Sequence, residues 1–184
     1  MNLANKITLT RVILIPAFLV VFLATPFHEI INAWLALVIF VAAAISDAVD
    51  GYVARKYKLV TNFGKLIDPL ADKLLVCSAL IAYTAIGWLP AWAVIILISR
   101  EFYMSGLRQL ALEKQLVMAA SNWGKLKTTA QLTLIIYMLV PFPLDILIFD
   151  VVIFILLILT IVLSLWSAID YTAKNISIFK DEAR

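Results

Sequence analysis

Asp47 and Asp50 stand three residues apart, Asp68 and Asp72 four apart, and most of their neighbours are apolar or small. On a helix both spacings put a pair on one face, so a hairpin of two helices can bring four carboxylates together. Such a cluster repels itself unless opposite charge holds it, and two divalent cations cancel four negative charges. Ligands that are all oxygen favour Mg²⁺, Mn²⁺ or Ca²⁺ over zinc, which prefers nitrogen and sulfur. The plainer alternative pairs each aspartate with Arg55, Lys65 or Lys73, or makes it a helix cap. That serves one aspartate well and four at this spacing in apolar helices badly.

The helices that must position them are apolar ones. Of 184 residues 64% are hydrophobic and 15% charged, and the mean hydropathy is +1.03, well above an average soluble domain. Disorder, collagen and a soluble nucleic-acid binder are excluded. Residues 12–27, 30–46, 74–99, 128–144 and 151–169 contain no Asp, Glu, Lys, Arg or His. About 20 residues cross a bilayer as helix, which predicts an all-α integral membrane protein of one domain over 1–184. Six transmembrane helices are expected near 7–25, 31–53, 66–86, 91–113, 125–142 and 148–171. Gly87-Trp88-Leu89-Pro90 and Pro141-Phe142-Pro143 mark reversals, and Pro16 should bend the first span or leave a carbonyl unpaired. The first span ends in Thr25-Pro26-Phe27 without a cleavage pattern, so it is expected to be retained.

Orientation follows from the basic residues, which stay cytoplasmic in short loops. Residues 26–30, 87–90 and 143–147 contain no Lys or Arg, whereas the opposite face receives Lys6, Arg11, Arg55, Lys56, Lys58, Lys65, Lys114, Lys125, Lys127, Lys174, Lys180 and Arg184. Both termini should therefore be cytoplasmic. The net charge of +3 is one-sided, and it suits anionic lipids and anionic soluble substrates.

Residues 47–72 read Asp47-x-x-Asp50-Gly51-x-x-Ala54-Arg55, eight residues, then Gly64-x-x-x-Asp68-x-x-x-Asp72. This resembles the signature of the CDP-alcohol phosphatidyltransferase family at all eight specified positions. The resemblance implies six transmembrane helices around a dinuclear site holding two divalent cations, Mg²⁺ or Mn²⁺. It also implies that Asp47, Asp50, Asp68 and Asp72 bind the metals and that Asp72 takes the proton from the acceptor hydroxyl. Gly51, Ala54, Arg55 and Gly64 would line the cytidine nucleotide site, with Arg55 on its phosphates. Gly51, Gly64 and Ala54 leave room for a nucleotide; tight helix packing explains small residues in a membrane equally well.

A CDP-linked lipid is attacked at its β-phosphoryl group by an alcohol, and paired cations stabilise charge on both entering and leaving oxygens. The acceptor must be met elsewhere. Arg100 and Arg108, eight residues or about two turns apart, share a face of the fourth span, and Gly124-Lys125-Leu126-Lys127-Thr128 opens the fifth. Arg and Lys together can neutralise a phosphate that carboxylates would repel. The alternative pairs Arg100 with Glu101 or an aspartate and lets Arg108 snorkel outward. The opening Asn5 to Pro16, the segment Asn62 to Lys73, Arg100-Glu101 and Gly124-Lys125-x-Lys127-Thr128 are similar to the branch of the family whose acceptor is glycerol 3-phosphate. That implies CDP-diacylglycerol and sn-glycerol 3-phosphate as substrates, phosphatidylglycerophosphate and CMP as products, and a bacterial inner-membrane enzyme facing the cytoplasm. Arg100, Arg108, Lys125 and Lys127 are then the candidates for the acceptor's phosphate. Membrane lipids are expected partners and nucleic acid is not; the resemblance admits a homodimer, although the hydropathy identifies no interface.

Asn5, Thr8 and Arg11 could reach the nucleotide or anchor the first span. His28, the lone histidine, is expected away from the aspartates, and Cys77 reads as a small buried hydrophobe. Two rivals remain. One is a sister transferase taking serine, inositol phosphate or phosphatidylglycerol; the other is a divalent-cation carrier, for which the Gly51, Ala54, Arg55 and Gly64 framework has no evident use.

Overall fold

The computed structural model describes residues 3–24, 30–57, 62–114, 121–141 and 146–176, with side chains at 12–23, 30–46, 70–71, 73–114, 121–141 and 147–176. His28 lies outside the described residues, and of Asn5, Thr8 and Arg11 only the helical backbone is described. The elements are α1 (Leu3–Ala24), α2 (Ile30–Tyr57), α3 (Asn62–Ala85), α4 (Ala91–Glu113), α5 (Asn122–Leu139) and α6 (Ile146–Lys174). Among the described residues there is no strand.

The order matches the expected one, with instructive differences at the ends. α4 coincides with 91–113, because Pro90 in an extended conformation (φ −70°, ψ 135°) sets its start. α2 runs on to Tyr57 and α3 begins at Asn62, past the charged residues where hydropathy stops. Charge ends a lipid-facing stretch but does not end a helix. α5 closes at Leu139, since Pro141 restricts the residue before it and donates no hydrogen bond. α1 continues through Pro16 as one helix.

Two units divide the chain, Met1–Leu89 with Met138–Pro143, and Pro90–Tyr137 with Leu144–Arg184. In the first, α1 packs on both α2 and α3, and α2 packs on α3. The inward stripe of α2 is Ala33, Ala36, Leu37, Phe40 and Ala43, all buried at helical spacing. Its alanines let helices approach closely. Phe18 sits 5.5 Å from Phe22 and 5.6 Å from Phe40, and Phe22 meets Tyr83 edge-on at 5.1 Å. Tyr83 stacks on Trp88 at 6.0 Å, and its carbonyl accepts from the Trp88 N–H at 2.9 Å. Gly87, with φ +78°, makes this reversal possible.

In the second unit α4 packs on α6, where Met104, Leu107 and Tyr171 form a cluster with Ala168. Trp123 of α5 meets Trp166 of α6 at 6.2 Å, and Ser121 donates to Asp170 at 3.2 Å. Over Leu147–Lys174, 28 residues with a mean hydropathy of 3.0, α6 is long and apolar enough to cross a membrane. Shorter apolar helical stretches cover Val12–Leu23, Ile30–Ser46 and Lys73–Ala85.

Candidate functional site

The acidic pattern falls on two consecutive helices of one unit. Asp47, Asp50, Gly51, Ala54 and Arg55 lie in the last three turns of α2, and Gly64, Asp68 and Asp72 in the first three turns of α3. Because α2 ends at Tyr57 and α3 begins at Asn62, both acidic pairs belong to the same end of a helical hairpin. The backbone is helical at all eight positions, so Asp47 with Asp50, and Asp68 with Asp72, each share a helix face. Their side chains lie outside the described residues. The donor set consists of four hard carboxylates, which fits Mg²⁺ or Mn²⁺ in charge and in ligand type. Among the described side chains no three of His, Cys, Asp and Glu gather.

A second polar group is built where α4, α5 and α6 come together. Arg100 Nη1 donates to Glu101 Oε1 at 3.1 Å, and Arg100 Nη2 to Ser167 Oγ at 2.8 Å. Lys127 Nζ donates to the same Glu101 oxygen. Ser167 Oγ donates in turn to the Ser164 carbonyl at 2.9 Å. Lys127 is 2% exposed, and the Arg100 and Glu101 side chains 10% and 16%. A lysine buried this far in an apolar bundle requires a counter-ion, and Glu101 is that partner.

Of the four cations expected at the acceptor phosphate, the fold therefore brings two together, Arg100 and Lys127. Arg108 and Lys125 are exposed. The Arg100–Glu101 pair is the alternative the sequence left open, here extended by Lys127. Three residues escaped sequence reasoning: Ser164 and Ser167 on α6, and Gln131, which is 2% exposed and one turn after Lys127. A signal was present, since Thr160, Ser164 and Ser167 recur at helical spacing in an otherwise apolar helix and are all buried. Arg100 Nε, Gln131 Nε2 and Ser164 Oγ are buried without a hydrogen-bond partner among the described residues. A cavity of about 450 Å³ lined by Tyr103, Ala168, Ile169, Thr172 and Ala173 is almost wholly apolar and offers no comparable chemistry.

The model of the CDP-alcohol phosphatidyltransferase family matches residues 1–166. The chain belongs to that family. A Bacillus subtilis relative named CDP-diacylglycerol–glycerol-3-phosphate 3-phosphatidyltransferase is 50% identical over 141 residues, covering 71% of this chain and 72% of the relative. One of the same name in Mycoplasma pneumoniae is 45% identical over 109 residues, 59% of this chain and 48% of that protein. A Mycobacterium tuberculosis relative named probable phosphatidylglycerophosphate synthase is 37% identical over 173 residues, 94% of this chain and 81% of the relative. The family match spans all eight positions of the acidic pattern together with Arg100, Arg108, Lys125 and Lys127.

Proposed function

We propose that this chain is an integral-membrane transferase that moves the phosphatidyl group of CDP-diacylglycerol to sn-glycerol 3-phosphate, giving phosphatidylglycerophosphate and CMP. The observation that carries the reading is the identity with relatives whose names state that reaction, 50% in Bacillus subtilis. The acidic pattern on α2 and α3 supplies a chemical reason for it.

In the reaction a hydroxyl oxygen of the acceptor bonds to the β-phosphorus, the bond from that phosphorus to CMP breaks, and the hydroxyl proton goes to Asp72. Asp47, Asp50, Asp68 and Asp72 would hold two divalent cations, Mg²⁺ or Mn²⁺, which would supply electrostatic stabilisation of the entering and leaving oxygens. Gly51, Ala54, Arg55 and Gly64 receive the cytidine nucleotide, Arg55 at its phosphates. Arg100, Arg108, Lys125 and Lys127 bind the phosphate of glycerol 3-phosphate.

The proposed setting is the bacterial inner membrane, with one domain over 1–184, six spans, both termini and the active site cytoplasmic, and a homodimer as the assembly to test for. Support comes from the charge asymmetry of the loops and from large apolar side chains exposed on successive helices. Val20, Ile31, Val38, Ile81, Ile95 and Phe154 are each more than half exposed, a surface suited to lipid rather than water.

The deciding assay offers purified protein CDP-diacylglycerol, Mg²⁺ and several labelled alcohols in turn. CMP and phosphatidylglycerophosphate should form with glycerol 3-phosphate. Preference for serine, inositol phosphate or phosphatidylglycerol moves the protein to a sister activity, and cation flux in vesicles without CMP release makes it a carrier.

A further inference from the structure

The cluster around Glu101 joins three helices through one carboxylate. Glu101 accepts from Arg100 of its own helix and from Lys127 of α5, while Arg100 reaches Ser167 of α6. The cluster brings two cations, Arg100 and Lys127, to one carboxylate. It also has donors to spare. Arg100 Nε and Gln131 Nε2 are buried with no acceptor among the described residues, and Gln131 lies one turn from Lys127 on the same face of α5. A buried donor left unpaired is costly, so a cluster that gathers two cations and keeps donors to spare is suited to an anion.

We propose that Glu101 is the positioning residue of the acceptor site: it holds Arg100 and Lys127, from two different helices, in the one arrangement that receives a phosphate monoester. The inference rests on the acceptor reading above. Glu101 does not touch the acceptor; an anionic carboxylate would repel it. Without Glu101, Arg100 keeps its bond to Ser167, but Lys127 loses the carboxylate that draws it toward Arg100.

The test uses the full chain in detergent or vesicles, with KM and kcat measured for each substrate. E101Q should raise KM for glycerol 3-phosphate about tenfold or more while KM for CDP-diacylglycerol stays within about twofold, and E101D should restore part of the loss. In the double variant E101Q/K127M the rise in acceptor KM should fall short of the product of the two single rises, because part of Glu101's effect runs through Lys127 and the rest through Arg100. The inference is overturned if E101Q leaves the acceptor KM unchanged or lowers it, or if both KM values rise together. Losses that simply add in the double variant overturn it too, and where E101Q folds poorly E101D, which keeps the charge, carries the same comparison with K127M. If K127M itself leaves the acceptor KM unmoved, the acceptor assignment fails first and this inference with it.

Discussion

Arg100 on α4 and Ser167 on α6 are joined by a hydrogen bond of 2.8 Å that closes 67 residues of chain. Ser167 is 1% exposed, so no water replaces its hydroxyl readily. Hydrogen bonds to charged groups are worth about 1.5–3 kcal/mol, and an abandoned buried donor adds to the loss. Ser167→Ala should therefore destabilise the protein by about 2 kcal/mol or more, read as a lower midpoint in thermal or denaturant unfolding in detergent. An unchanged midpoint would mean that Arg100 finds another acceptor.

Chelation should abolish CMP release, and Mg²⁺ or Mn²⁺ should restore it. Replacing Asp47, Asp50 or Asp68 by Asn should weaken Mn²⁺ binding, measured by calorimetry, in step with activity. Asp72→Asn carries a further expectation. General-base catalysis contributes about 10²–10⁴-fold, so its kcat should fall by that order even at saturating metal. Normal turnover in an Asp72→Asn protein that still binds metal and CDP-lipid removes the base assignment.

Arg108 and Lys125 are exposed, unlike Arg100 and Lys127, and their contribution should be the smaller. Arg108→Ala and Lys125→Ala should each raise KM for glycerol 3-phosphate by about three- to tenfold, within the range of charge-assisted hydrogen bonds discounted for solvent. KM for CDP-diacylglycerol should hold. Steady-state kinetics with both substrates varied separates the two.

A Cβ at Gly87 would meet nothing within 4 Å, yet the residue has φ +78°. The cost of Gly87→Ala is then conformational rather than steric, about 1–2 kcal/mol. Gly87→Asn should cost less, because asparagine tolerates the left-handed region. Unfolding midpoints of the two variants test that order.

The sequence carried the helices and the acidic pattern because both are local. Apolar runs and Pro90 placed α4 to the residue, and Asp47 to Asp72 announced themselves by spacing alone. The Glu101 cluster was only half legible. The adjacent Arg100 suggested a partner, but Lys127 lies 26 residues away and Ser167 67 from Arg100, and no periodicity within one helix reports a bond between helices. α2 and α3 overran their expected ends for a related reason: hydropathy measures where lipid stops, while backbone hydrogen bonding continues through charged residues.

α6 has 29 residues, about 43 Å of helix, against a hydrocarbon layer of about 30 Å. Its charge-free stretch between Asp150 and Asp170 is 19 residues, about 28 Å, so the extra length lies at the two ends, beyond the carboxylates. Its final turns carry the Asp170 latch to Lys174 and Ser121, so the surplus length works as a spacer.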